Sequence, residues 1–411
     1  MGMAEDRALL ALALTTCVAM TGFGLIAPVA PFLADALGAT PSEVTWAIGA
    51  FSVGQLLSAP VWGRLSDSFG RKPALIGSLL LSAGLYLALA FVDSALQLAG
   101  VRFAAGLAAG NVATAFAAAA DLSNPQNRAR AMGLLGAGLA LGFILGPALG
   151  GLLAGEASNI EDYQRVCFAA CAVSAAAALS VAALLPETRN RDLALPKAAA
   201  SFRSVLSRPA AVRLLGVSMA FFMAFAIVET IVALWAEARL GWGAMEVGLL
   251  LGAVGLFAAL LQGAAAGPAA ERLGERKVLL GGLICFGLGL AILIPAASAW
   301  SALLGGAVLA TGFGLANPSL QSLVSKSAPE SERGALIGVN QAAASLGRVL
   351  GPAVAGPLFE FLAISAPYAF AVGLALLALW LAHAATRSQA APHSLTRPAK
   401  ISSRSSGVSG T

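Results

Sequence analysis

The sequence predicts an all-α membrane protein of twelve transmembrane helices arranged as two pseudo-symmetric six-helix bundles. Three observations lead there. Of the 411 residues, 58% are apolar and only 11% charged, whereas a water-soluble chain carries about 25% charged residues. Twelve stretches are long and apolar enough to cross a hydrocarbon core about 30 Å thick at a helical rise of about 1.5 Å per residue. Two polar signatures recur at offsets of 204 and 205 residues, so the chain reads as one six-helix unit used twice. This composition excludes a soluble enzyme, a nucleic-acid binder and a secreted domain.

The spans fall near 8–33, 44–65, 73–92, 96–120, 130–154, 165–186, 210–236, 245–270, 277–296, 300–324, 335–359 and 366–386. The first is read as a retained helix rather than a cleavable signal, because Glu5 and Asp6 precede it. Lys and Arg set the orientation. With both termini cytoplasmic, 21 of the 25 Lys and Arg fall in inward segments, and only Arg165 and Arg239 in outward loops. That asymmetry, not nucleic acid, accounts for the net charge of +5. Residues 187–209 form the longest polar connection, with 198–207 a candidate surface helix. The division is therefore an amino-terminal bundle at 1–186, a cytoplasmic loop at 187–209, a carboxyl-terminal bundle at 210–387 and a disordered tail at 388–411. All four cysteines lie in apolar runs and imply no disulfide.

The first repeated signature follows span two as Gly63-Arg-Leu-Ser-Asp67-Ser-Phe-Gly70-Arg71-Lys72, and follows span eight as Gly267-Pro-Ala-Ala-Glu271-Arg-Leu-Gly274-Glu-Arg276-Lys277. Its glycines permit a tight turn, and Asp67 can accept from Arg71 or from a nearby helix N-terminus. The segment is read as a latch between the bundles on the inner side; a plain positive-inside turn is the alternative. The second signature pairs Arg128–Gly133 with Arg333–Gly338. Within span five, Gly138, Gly142, Gly146 and Gly150 recur every fourth residue, with Pro147 among them. Such a stripe lets another helix approach closely, and it is expected to be the pivot sealing the two halves together.

These motifs carry a resemblance. The chain resembles a twelve-helix transporter of the major facilitator superfamily, in its drug:proton antiporter branch. Gly63–Lys72 is similar to that superfamily's loop signature, and Leu98–Gly110, with Arg102, to its helix-four signature. Gly138–Gly151 is similar to the helix-five signature of antiporters, and Pro28 with Pro31 fits the branch. The resemblance implies alternating access at a midplane site between the halves, a monomer, and a bacterial inner-membrane location. Tetracycline exporters of this branch carry acids in helices one and three, where this chain has Ala19 and Leu85. That departure points away from a tetracycline–magnesium substrate.

Charges inside apolar spans are costly and are functional candidates. Glu229, near the middle of span seven, is the candidate proton-coupling carboxylate, with a structural partner for Arg348 as the alternative reading. Arg102 is the second proton-coupling candidate, a role implied by the resemblance. Arg348, Asn111, Asn317, Gln321, Asn340, Gln341, Phe222 and Phe225 are candidates for the substrate cavity, and a helix broken at Asn317-Pro318 is expected to expose carbonyls there. Phe221 and Trp235 are further candidates for an apolar wall. Asp121 is expected to cap its helix or to pair with Arg128 and Arg130. The sequence presents no metal cluster, nucleotide site or nucleophile–base set, so neither a cofactor nor enzymatic activity is expected. The expected function is proton-coupled efflux of a small organic or lipophilic compound across the lipid bilayer. The alternatives are proton-coupled or facilitated import of a metabolite, and a non-transporting scaffold.

Overall fold

The structure is a computed structural model. It describes residues 3–123, 127–156, 159–188, 208–264, 266–329 and 332–390, without the side chains of 3–6, 59, 111, 129, 266 and 386–390. Most of the expected central loop, with its candidate helix at 198–207, and the tail from 391 lie outside the described residues.

Among the described residues, eleven helical segments are long and apolar enough to cross a membrane. A twelfth is Pro41–Ser58 with Pro60–Phe69, bent by 48°, where Pro60 offers no N–H and crowds the preceding turn. Span one is α1 (Met3–Ile26) and α2 (Val29–Ala36), parted at Ala27–Pro28. Span two is α3 (Pro41–Phe69), span three α4 (Arg71–Leu89), and span four α5 (Ala95–Ala108) with α6 (Asn111–Asp121). Spans five to seven are α7 (Arg128–Ala154), α8 (Ile160–Leu184) and α9 (Pro209–Leu240). Span eight is α10 (Ala244–Ala264) with α11 (Ala266–Leu273). Spans nine to twelve are α12 (Glu275–Leu293), α13 (Ala299–Lys326), α14 (Arg333–Phe361) and α15 (Ala366–Ala390).

Local signals explain several boundaries. The Thr40 side chain accepts from Glu43 N while the Glu43 carboxylate accepts from Thr40 N, a reciprocal cap with Pro41 opening the helix. Gly70 and Gly274, matched in the two repeats, both adopt positive φ, 109° and 81°. Each ends one helix and starts the next, so both copies of the signature make the same kind of turn. Span four breaks at Ala109–Gly110, where the Trp62 indole fills the space a side chain at 110 would need and Trp62 Nε1 donates to Leu107 O at 2.7 Å.

The helices pack as two similar six-helix groups. Span one lies against spans five and six, and span seven against eleven and twelve. Span two lies against four, and eight against ten; three lies against six, and nine against twelve. Lipid tails offer no hydrophobic drive for helix association, so close backbone packing carries these contacts. A methyl added at Gly146 would come within 2.6 Å of Gly24 Cα, and Gly142 lies against the Cys17 carbonyl and Met20. Gly138 lies against Ala13, and Gly150 against Leu25. The whole stripe thus faces span one inside its own bundle, which corrects its expected place between the halves. The reason is angular: residues four apart share one face, and that face is already filled by α1. In the second half Gly347 and Gly351 approach span seven in the same way.

The halves meet along two related seams. On the adjacent face of α7, Gly151 lies against Ala244, Met245 and Gly248; the Pro147 carbonyl lies against Gly248; and a methyl on Gly252 would be 2.9 Å from Ala148 Cβ. In the other seam Gly49 abuts Pro352, Gly356 abuts Thr45, Trp46 Nε1 donates to Ala353 O at 3.4 Å, and Ser42 N donates to Glu360 Oε2 at 3.0 Å. Both seams lie at the end remote from the Gly70 and Gly274 turns. At the turn end, Gly63, Gly133, Gly136, Gly263, Gly267, Gly334 and Gly338 meet nothing within 4 Å. The contacts named between the halves thus gather away from the turn end.

Alanine at Gly146 is expected to destabilise the protein by about 1–3 kcal/mol, since backbone must move to accept it. Alanine at Gly136, on the same helix but facing open space, is expected to be neutral or to stabilise by up to about 1 kcal/mol. Thermal unfolding of the two variants in detergent should therefore move in different directions from the parent; equal losses would contradict the packing.

Candidate functional site

Span seven is the most enclosed of the described spans, yet it carries an exposed carboxylate near its middle. Ala224, Ala226, Ile227 and Thr230 through Ala236 are buried, while Phe225 and Val228 are half-buried and Glu229 is exposed. Phe225 and Glu229 are one turn apart, so they share a stripe facing an opening. Glu229 interacts electrostatically with Arg348 in span eleven and with Arg102 in span four of the other half. The opening it faces is therefore the space between the halves, not lipid. No ion pair or hydrogen bond ties the Glu229 carboxylate to either arginine among the described residues.

Each arginine rests on an aromatic ring. Arg348 lies over Phe222 at 4.7 Å, and Arg102 over Phe51 at 5.1 Å. Such cation–π contacts hold a guanidinium against an apolar wall without neutralising it. Arg102 is 6% exposed, and its Nε has no hydrogen-bond partner. Its placement follows from Gly106, one turn along α5. Gly106 packs on the Phe51 carbonyl, so α3 and α5 touch backbone to backbone and the Phe51 ring comes under Arg102. Tyr86 and Cys167, from spans three and six, also interact electrostatically with Arg102.

The walls are aromatic on both sides. Phe313 stands 4.6 Å from Phe225, 5.5 Å from Phe221 and 6.4 Å from Phe222. In the first half Phe23 lies 5.0 Å from Phe51 and 5.9 Å from Phe143. Phe23, Phe51 and Phe313 escaped the sequence reading, since one aromatic among many in an apolar span carries no distinguishing pattern. Three aromatic candidates are corrected, the first being Phe222, which is buried beneath Arg348 and braces that arginine rather than lining the cavity. Phe221 is buried behind Phe313, and Trp235 is buried against Tyr368 at 5.5 Å, so both are packing residues.

The polar candidates divide. Asn340 is 1% exposed; it accepts from Ser218 Oγ and donates Nδ2 to Gln321 Oε1 at 3.2 Å. Its side chain ties spans seven, ten and eleven together, so its expected role in orienting substrate gives way to a structural one. Gln321 is half-buried beside it, Gln341 is exposed on the next residue, and half-buried Asn317 has an unpartnered buried Oδ1. α13 runs unbroken through Pro318, so the carbonyl-exposing break expected there is absent. The Asn111 side chain lies outside the described residues.

At the turn end the loop signature forms a compact charge cluster within the first half. Arg71 pairs with Asp67 at 2.6 Å and Asp121 at 2.9 Å, and donates to Ser66 Oγ at 2.7 Å. Asp121 thus pairs with Arg71, rather than as expected, while Arg128 donates to the Ala120 carbonyl. The free N–H groups at the start of α4 are taken by Glu187, which accepts from Arg71 N at 2.9 Å and Lys72 N at 3.3 Å. Glu187 was missed, although its place just after span six is visible in sequence. In the second half Glu275 pairs with Lys326 at 2.7 Å and accepts from Ser322 at 2.6 Å.

Twelve membrane-crossing helices around an intramembrane carboxylate and two arginines define a membrane transporter rather than a structural bundle. The chain matches the model of the Major Facilitator Superfamily over residues 12–266 and 230–406. It belongs to that superfamily. The tetracycline resistance protein of class G from Vibrio anguillarum is 34% identical over 358 residues, 85% of this chain and 89% of that protein. The class C protein of Escherichia coli is 30% identical over 367 residues, 87% of this chain and 91% of the relative. Multidrug resistance protein 2 of Bacillus subtilis (strain 168) is 28% identical over 372 residues, covering 88% and 92%. Among solved structures, the inward-facing, unoccupied form of a bacterial homologue of the lysosomal transporter Spinster superposes with a TM-score of 0.79 at 16% identity, covering 94% of this chain and 98% of the other. That likeness supports the fold alone.

Asn340→Ala leaves the Ser218 hydroxyl and the Gln321 amide without their partner. It is expected to lower stability by about 1–3 kcal/mol. Ligand affinity should then fall no further than unfolding accounts for. A variant of unchanged thermal stability would overturn the structural assignment.

Proposed function

We propose that this protein is a proton-coupled exporter of small organic compounds that works by alternating access. The observation that carries the reading is Glu229, a carboxylate exposed in the space between the halves and held apart from the arginines that act on it. Relatives over most of the chain are resistance proteins for tetracycline and for multiple drugs. Ala19 and Leu85 stand where tetracycline exporters of this branch carry acids, and Glu229 is the carboxylate that lies near the middle of a span and faces both arginines. With the positive-rich turns and both termini cytoplasmic, the turn end faces the cytoplasm and the two seams close the outer end. The bundles at 1–186 and 210–387 then rock about those seams as units, one chain forming the working carrier in the lipid bilayer.

In this cycle a compound enters from the cytoplasm and meets deprotonated Glu229 between the aromatic walls. The seams part, the compound leaves outward, and a proton taken up by Glu229 favours return to the inward-open form. Asp67, Arg71 and the turn glycines Gly63 and Gly70, with Lys72, form the latch that engages the second half when the inner end closes. Gly138, Gly142, Gly146, Pro147 and Gly150 keep span one rigidly on span five during that motion.

Everted vesicles energised by respiration test the reading through the dequenching of a pH-sensitive acridine dye. Adding a compound to which the protein confers resistance should release protons from the lumen. Glu229→Gln should reduce that release below a tenth of the parent value at equal membrane abundance. Undiminished exchange by this variant would refute the role of Glu229.

A further inference from the structure

The space between the halves holds charges of both signs that act on each other without touching. Glu229 interacts with Arg348 and with Arg102, yet none of the three makes an ion pair. Arg102 is enclosed, and its Nε faces no acceptor. Opposite charges at contact in so enclosed a site would gain several kcal/mol, so their separation is fixed by the walls. Arg348 is braced on Phe222 and Arg102 on Phe51, and these rings sit on helices locked by glycine contacts. Half-buried Phe225, one turn from Glu229 on the same helix, stands 4.6 Å from the half-buried ring of Phe313. The site offers an anion receptor, a cation receptor and an aromatic floor.

We propose that the site selects amphoteric aromatic compounds, molecules carrying a carboxylate-like anion at one end and an ammonium at the other. The anionic end is received by half-buried Arg348, the ammonium by Glu229, and the flat body by Phe225 and Phe313, while enclosed Arg102 adds positive charge from behind the wall. A monovalent cation would meet two arginines against a single carboxylate and is disfavoured. A simple anion satisfies an arginine but leaves Glu229 unpaired. The inference rests on the exporter reading and gives it a sign. An ammonium on Glu229 and a proton on Glu229 exclude each other, which is the competition that exchange requires. A purely anionic cargo would instead bind better beside a protonated Glu229, so proton and cargo would travel together.

Four probes of one shape test this with the purified full chain in detergent, with no proton gradient present. They are 6-(aminomethyl)-2-naphthoic acid, 2-naphthoic acid, 2-(aminomethyl)naphthalene and 2-naphthamide, compared by equilibrium dialysis at neutral pH. The amphoteric acid is expected to bind at least tenfold more tightly than each of the others. Glu229→Gln should erase its margin over 2-naphthoic acid, and Arg348→Gln its margin over the amine. Binding of 2-naphthamide should change less than twofold in both, which reports a folded site. Glu229→Asp, keeping the charge on a shorter stem, should retain a margin. A tighter amine, acid or amide, no binding by the amphoteric probe, or margins surviving both neutralising variants would overturn the inference. Because binding needs no gradient, such a failure leaves the exporter reading standing if vesicle exchange persists. Loss of exchange with selective binding intact would sink that reading instead.

Discussion

Close approach of helix backbones at glycine is the constraint on which the rest of the molecule depends. In lipid an apolar face gains nothing by leaving the hydrocarbon for another apolar face, so association rests on packing and polar contacts. Gly138, Gly142, Gly146 and Gly150 bind span five to span one, Gly54 and Gly106 bind span two to span four, and Gly347 with Gly351 bind span eleven to span seven. Each contact leaves no room for a methyl. These contacts make rigid groups, whereas the named seams between the groups gather toward one end. A rigid body joined to another toward one end is mechanically a rocker.

The same contacts set the electrostatics. Arg102 is held over Phe51 because Gly106 brings α5 onto α3, and Arg348 lies over Phe222 because Gly347 brings α14 onto the same turn of α9. Two arginines in different halves and non-equivalent helices thereby reach a similar setting, charge on ring, across one central space. Glu229 feels both from a helix whose middle is largely buried among its neighbours. The charges are kept apart by the scaffold rather than collapsed into a salt bridge.

Much of this was legible in the amino-acid sequence. The twelve spans and the duplicated turn follow from apolar length and from glycines repeated at fixed offsets; Gly70 and Gly274 indeed share a conformation that favours glycine. The prominence of Glu229, Arg102 and Arg348 follows from the cost of charge in an apolar span. Which face meets which neighbour was not legible. In a membrane both the lipid-facing and the packed faces are apolar, so periodicity does not separate them. For that reason the span-five stripe was placed between the halves when it lies inside one, and Phe313 and Phe51 passed unseen. The breaks also resisted reading. Span four is interrupted beside Gly110, against Trp62, a residue 48 positions earlier, while Pro318, the stronger local signal, interrupts nothing.

The central claim is that the seam between α7 and α10 opens in every transport cycle. Ala148→Cys with Gly252→Cys, in a chain whose four native cysteines are replaced by serine, places two thiols across that seam; a side chain at 252 would begin 2.9 Å from Ala148 Cβ, so the helices need part by only about 1 Å to reach the separation of about 3.5–4.5 Å that a disulfide spans. Exchange is measured in vesicles before oxidation, after it, and after reduction. The account predicts that the cross-linked protein exchanges below a tenth of the uncross-linked rate and that reduction restores it. Full exchange by the cross-linked protein would contradict it.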